Sequence, residues 1–193
     1  MPYSALTRRV CTRKFAKKRH DACVASICLV RGRSNVSIAM DNEFVPDSAH
    51  FSALERLYAT APANAYWQPT LTVSLGRAEV RMGIRGDFHH PAGAAHGAAY
   101  FKVLDDATFF AANSLTGYFV LTTSLAIHLL RPISSGTLRA VGATVHASKR
   151  RWLAEGIAYD EHDQIVARAC ATFAISRRRI EELADSSTPI RTR

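Results

Sequence analysis

The sequence predicts an α+β domain in which one long helix is wrapped by a curved antiparallel sheet. Two patterns carry this reading. Residues 97–114 are apolar on nearly every helical face, the mark of a buried helix. Four strand-length segments follow, separated by turn residues and spaced like a meander of long antiparallel strands. A sheet curved around the helix is the economical way to bury it.

Size and charge bound the reading. The 193 residues suffice for one domain with a proper core. The net charge of +9 invites a nucleic-acid partner, but its distribution argues against one. Residues 1–39 hold nine Lys and Arg side chains against Asp21, a net +8, which leaves +1 for residues 40–193. The predicted organisation is therefore a basic, disordered segment 1–39, a domain over 40–176 and a charged, frayed tail over 177–193. The first segment reads either as a presequence or as chain preceding a true start at Met40, where composition changes sharply. Three of the four cysteines, Cys11, Cys23 and Cys28, lie there too, and Cys170 stands alone beyond. His20 lies near Cys23 and Cys28, but four placed ligands would be needed for zinc and no second pair matches. Reduced thiols in a cytoplasmic protein are expected. No apolar run approaches the roughly 18–20 residues of a membrane helix.

The elements follow in order. Asp47 or Ser48 caps a helix carrying Phe51, Leu54, Leu57 and Tyr58 at helical spacing, which ends before Pro62. Thr70–Leu75 and Ala78–Ile84 form a hairpin around Gly76-Arg77. An irregular stretch rich in His, Pro, Gly and Ala runs from Gly86 to Ala95, before the buried helix that starts at Gly97. Strands are expected at Val120–Leu130, Thr137–Ala147, Trp152–Asp160 and Gln164–Ile175.

The chemistry concentrates in the buried helix. A carboxylate inside an apolar helix costs several kcal/mol unless it is paired, roughly 1–3 even with partial compensation. Asp105 shares its face with Ala98, Phe101, Phe109 and Ala112, so it is the candidate functional acid. Asp106 lies four residues after Lys102, the spacing of a surface ion pair, and is expected to be solvated or at an edge. At the helix start, Gly97 and Ala98 present free backbone N–H groups at the positive end of the dipole, able to stabilise an oxyanion. An activating carboxylate with an oxyanion site is what hydrolysis of an activated acyl group requires. The basic turn Lys149-Arg150-Arg151 reads first as a solvated loop, and as a functional alternative offers Arg150 and Arg151 to the phosphates of a coenzyme A moiety.

His96-Gly97-Ala98 followed by Asp105-Asp106-Ala107 resembles the His-Gly-Gly, six residues, Asp-x-Ala signature of hot-dog thioesterases. Asn113-Ser114, the strand from Leu121 to Pro132, and the hairpin from Tyr159 to Arg168 resemble further blocks of that family in the same order. The phenylacetate-pathway type of acyl-CoA thioesterase is the subgroup these blocks resemble most. The resemblance runs from roughly Gln68 to Ile175 and implies the hot-dog fold. It implies Asp105 as general base or nucleophile, and Gly97 as the N–H that polarises the thioester carbonyl. It implies Thr122 as a hydroxyl that holds the water. His90 stands where the family has Asn or Gln, and Ala98 where it has a second Gly, and both are departures. His96, Ala98 and Asn113 fall at substrate-side positions of the motif blocks, although His96 also suits a structural bond to the helix backbone. The resemblance further implies a site shared between two subunits, hence a homodimer that can pair into a dimer of dimers. The substrate would be an acyl-CoA or carrier-protein thioester, with no metal or organic cofactor, no nucleic acid and no membrane.

Two other functions fit a related scaffold. A hydratase or dehydratase would pair His89 or His90 with Asp105. A non-catalytic acyl-CoA sensor would use residues 1–39 as its output arm.

Overall fold

A computed structural model describes residues 44–148 and 151–185. The expectations for residues 1–39, Met40, Lys149, Arg150 and the chain beyond 185 lie outside the described residues.

Helix α1 (Ser48–Thr60) starts where Asp47 accepts the His50 N–H at 2.9 Å, the expected cap. It buries Leu54 and Tyr58 against the core. A single turn of helix, α2 (Asn64–Trp67), ends on Gln68 in the left-handed region at φ 51°. Strands β1 (Thr70–Ser74) and β2 (Arg77–Gly83) then form the hairpin. Its turn is Leu75-Gly76, one residue earlier than the sequence reading. The Ser74–Arg77 pair closes a two-residue loop, and Gly76 supplies the positive φ of 68°. The Gly76 N–H is also held by Ser114 Oγ at 2.8 Å, which ties the hairpin to the end of the long helix.

That helix is α3 (Gly97–Asn113), followed by β3 (Tyr118–Leu129), β4 (Thr137–Ala147), β5 (Trp152–Tyr159) and β6 (Ile165–Arg179). The six strands make one antiparallel sheet in the order β1-β2-β4-β5-β6-β3. Strands alternate as a sheet with one buried face must. In β2, Ala78, Val80 and Met82 face the helix, while Arg77, Glu79 and Arg81 face outward. In β4, Leu138 and Ala140 are buried, whereas Arg139 points outward and bonds Glu79 and Asp163.

Gly142 and Gly156 face each other across β4 and β5, beneath the middle of α3. A Cβ at Gly142 would stand 2.1 Å from the Ala107 carbonyl oxygen, and one at Gly156 would stand 3.0 Å from Thr108 Cγ2. The helix therefore rests almost directly on the sheet backbone, which only this residue type permits.

Two expectations are corrected. The segment from Arg177 is not a frayed tail throughout. β6 runs on to Arg179, and α4 (Ile180–Asp185) buries Ile180, whose N–H bonds the Gly117 carbonyl at 2.9 Å. One large apolar anchor outweighs the surrounding charges. The long helix, in turn, is not covered all round by its own chain, since Phe101 stays 50% exposed.

Candidate active site

The start of α3 is positioned by the loop before it. A 3₁₀ turn at Gly86–Phe88 leads to a bridge between His89 and Ala95, and the His96 N–H bonds the Phe88 carbonyl at 2.8 Å. His96 is extended, with ψ 149°, and its Nδ1 accepts the Ala98 N–H at 3.1 Å. The Ala99 N–H bonds the His96 carbonyl at 2.9 Å. Among the described residues, the Gly97 N–H is then left without an acceptor, at the positive end of a 17-residue helix. His96 Nδ1 and the Ala98 N–H therefore satisfy each other as a helix cap, which leaves Gly97 as the available backbone donor while both side chains stay exposed.

His90 is half-buried in the same loop, with Nδ1 accepting the Ala92 N–H at 3.1 Å. This bond selects the tautomer whose Nε2 carries hydrogen, so the neutral ring offers a donor as an amide would. His89 is half-buried, and its Nε2 is enclosed without a hydrogen-bond partner among the described residues.

The acid lies further along α3. Asp105 is half-buried and its Oδ1 accepts from the Thr122 hydroxyl at 3.1 Å. Thr122 reaches it from β3 beside an irregularity, where Thr122 pairs with Phe173 but Ser124 pairs with Thr172. The extra residue, Thr123, turns its hydroxyl to Thr172, and such a bulge re-aims side chains locally. Burial pushes the Asp105 carboxyl above the ordinary range. The Thr122 bond opposes this, the Asp106 charge adds to it and Lys102 opposes it.

Asp106 is not at a solvated edge. Its side chain is 13% exposed, and Oδ2 accepts from Tyr58 Oη at 2.5 Å and from Lys102 Nζ at 2.7 Å. The Lys102 pair was legible from its four-residue spacing. Tyr58 was not, since it arrives from α1, 48 residues away. Burial raises the Asp106 carboxyl, against the pull of Lys102 and Tyr58.

Asn113 is also corrected. It is fully buried, its amide donates to the Phe109 carbonyl at 3.0 Å, and its Oδ1 accepts the Val120 N–H at 3.1 Å. It joins the end of α3 to β3, buried where a substrate does not reach it in this chain. Arg151 is exposed at the β4–β5 turn.

The structure thus brings Asp105 to Thr122, and sets His96 and Gly97 at the helix start with His90 in the loop that leads there, but it keeps the two groups apart. The eight residue steps of helix from Gly97 to Asp105 span about 12 Å. A cleft of about 490 Å³ lies on the outer sheet face, among Arg77, Glu79, Arg139 and Tyr159, and holds none of these residues.

Residues 92–167 match the family model of the thioesterase superfamily, a segment that includes Gly97, Asp105 and Thr122. Among curated proteins none matches the sequence. Solved structures do resemble it. The E. coli PaaI protein from the phenylacetic acid degradation operon aligns at TM-score 0.63 and 18% identity, over 67% of this chain and 98% of that one. A thioesterase from Haemophilus influenzae aligns at TM-score 0.60 and 16% identity, over 65% and 90%. A conserved protein from Pseudomonas aeruginosa aligns at TM-score 0.58 and 27% identity, over 63% and 98%. The segment that carries α3 and the strands following it is thus similar to the thioesterase superfamily, and the fold of the chain is the hot dog.

Proposed function

We propose that the protein hydrolyses acyl-CoA-type thioesters as a homodimer, with Asp105 of one protomer acting on a carbonyl held at Gly97 of the other. The match of residues 92–167 to the thioesterase superfamily model supports thioester hydrolysis as the class of chemistry. The observation that carries the finer reading is the separation just described. A raised, half-buried carboxylate and an unengaged helix N–H lie about 12 Å apart along one helix, too far to act on one carbonyl within a chain.

A second copy resolves the distance. Thr122, which holds Asp105, stands near one end of β3. Leu129, at the other end, is 3.7 Å from where a Gly97 Cβ would be. β3 terminates the sheet, so it is free to pair antiparallel with its own copy. A two-fold axis near Leu125 and Ala126 then sets the Asp105 end of each protomer against the Gly97 end of the other.

In this arrangement Asp105 takes a proton as water attacks the thioester carbon. The negative charge on the carbonyl oxygen falls on the Gly97 N–H. Collapse of the intermediate breaks the C–S bond, the acid is released, and the proton returns to the thiolate. His90 Nε2 lies on the loop leading into the same helix start, where a donor would orient the acyl group.

Asp105→Asn is expected to lower kcat by about 10²–10⁴-fold while the fold persists. Gly97→Pro deletes only the N–H in question, because proline is well tolerated at the first helical position. It should cost roughly 10²–10³-fold. Refolding the two inactive variants together should restore about a quarter of wild-type activity, since half the dimers are mixed and each holds one intact site. Full turnover by Asp105→Asn, or no recovery on mixing, would overturn the proposal.

A further inference from the structure

We propose that Asp106, with Tyr58, is a positioning residue that draws the Lys102 ammonium away from Asp105 and so keeps the reacting acid unpaired. The inference rests on the reading of Asp105 given above.

Lys102 precedes Asp105 by three residues and Asp106 by four, and both spacings allow an ion pair on a helix. The structure resolves the competition. The ammonium stands 2.7 Å from Asp106 Oδ2 and 5.2 Å from the centre of the Tyr58 ring. The same Oδ2 receives the Tyr58 hydroxyl at 2.5 Å. Tyr58 comes from α1, so the clamp is anchored to a different element from the one that carries the acids. With an aromatic face, a carboxylate and low exposure around it, the ammonium is fixed on the α1 side of α3.

Asp105 faces the other way, toward β3. Among the described residues, the charged groups acting on it are Asp106 and Lys102, both on its own helix. β3 contributes only the Thr122 hydroxyl. A carboxylate whose single close partner is a hydroxyl keeps the basicity that a bonded ammonium would remove. The second acid of the pair therefore acts on the first through the lysine between them.

Asp106→Asn removes the anion that holds the ammonium, so Lys102 is free to turn to Asp105. The acidic limb of the kcat/KM profile should move to lower pH, and plateau kcat should fall several-fold. That is well short of the roughly 10²-fold or greater loss on removing the base itself. Lys102→Met has the opposite sign: with no ammonium, the limb should move to higher pH. Titration of the Asp105 carboxyl carbon by NMR, assigned by its absence in Asp105→Asn, should shift in the same two directions without reference to turnover. Loss of either charge alone also shifts Asp105 in these directions, so the deciding measurement is Asp106→Asn in the Lys102→Met background. If Asp106 acts as a positioning clamp, the substitution loses most of its downward shift there, and a shift of undiminished size overturns the proposal. An unmoved Asp105 titration, or movement of the same sign in both, overturns the proposal. Should Asp106→Asn fail to fold, Asp106→Ala takes its place in both the wild-type and the Lys102→Met backgrounds. Shifted titrations with unshifted activity profiles would uphold the clamp and reject Asp105 as the base.

Discussion

The sheet has two edges, and they are built in opposite ways. β1 is five residues long and lies under α1, and Glu55 of that helix reaches across to accept the Val73 N–H at 2.8 Å. A short edge with its free donor capped by a carboxylate is closed to further pairing. β3 is twelve residues long. Around it Leu121, Leu129, Leu130 and Phe101 are between 50% and 55% exposed. A long, bare, apolar edge left alone is an aggregation hazard, so its persistence beside the candidate acid speaks for a specific partner. One edge is finished within the chain, and the other is the edge that the proposed dimer would cover.

The largest test strikes the open edge. Leu121→Lys together with Leu129→Lys leaves the β3–β6 ladder intact and places like charges across the proposed seam. Monomeric elution in light-scattering chromatography is expected, with hydrolysis lowered by at least about 10²-fold, the scale of one lost oxyanion donor. An unchanged dimer would remove β3 from the interface. The next test opens the closed edge. Glu55→Ala leaves the part-buried Val73 donor without its acceptor and should cost about 1 kcal/mol in urea unfolding. It should also make association depend on protein concentration. A neutral result would mean that α1 alone guards β1.

The smallest expected effect measures how far the open edge is covered. Burial raises the Asp105 carboxyl in the folded state, so the folded protein binds its proton more tightly than the unfolded chain does. The contribution of Asp105 to stability is full below the ordinary carboxylate range and is lost as pH rises through its raised folded value. Asp105→Asn should therefore raise Tm modestly at neutral pH and hardly at all in acid. The gain should shrink in the Leu121 and Leu129 double variant, where the seam stays wet. Equal gains in both backgrounds would show that the second chain adds no burial at the acid.

Much of this was legible locally. The Asp47 cap, the bounds of β4 and the start of α3 follow from capping chemistry, alternation and glycine placement, all of which act over a few residues. Asp105 stood out because a lone acid on an apolar face demands a reason. What escaped the sequence depended on partners far along the chain. Asp106 looks like a surface acid until Tyr58 arrives from α1, and Asn113 looks like a ligand until β3 claims its amide. Ile180 reads as part of a charged tail until Gly117 and the core receive it. The separation of Gly97 from Asp105 follows from the helix rise once the bounds of α3 are known.

The glycine pair beneath α3 has a bearing on chemistry that happens on the helix's far side. Because Gly142 lets the Ala107 peptide settle against β4, the depth at which the helix sits is gauged from behind by two missing methyl groups. An alanine there would lift the helix and carry Asp105 off Thr122, leaving every reacting group present but out of alignment. The placement of the acid is thus governed by residues that never approach a substrate.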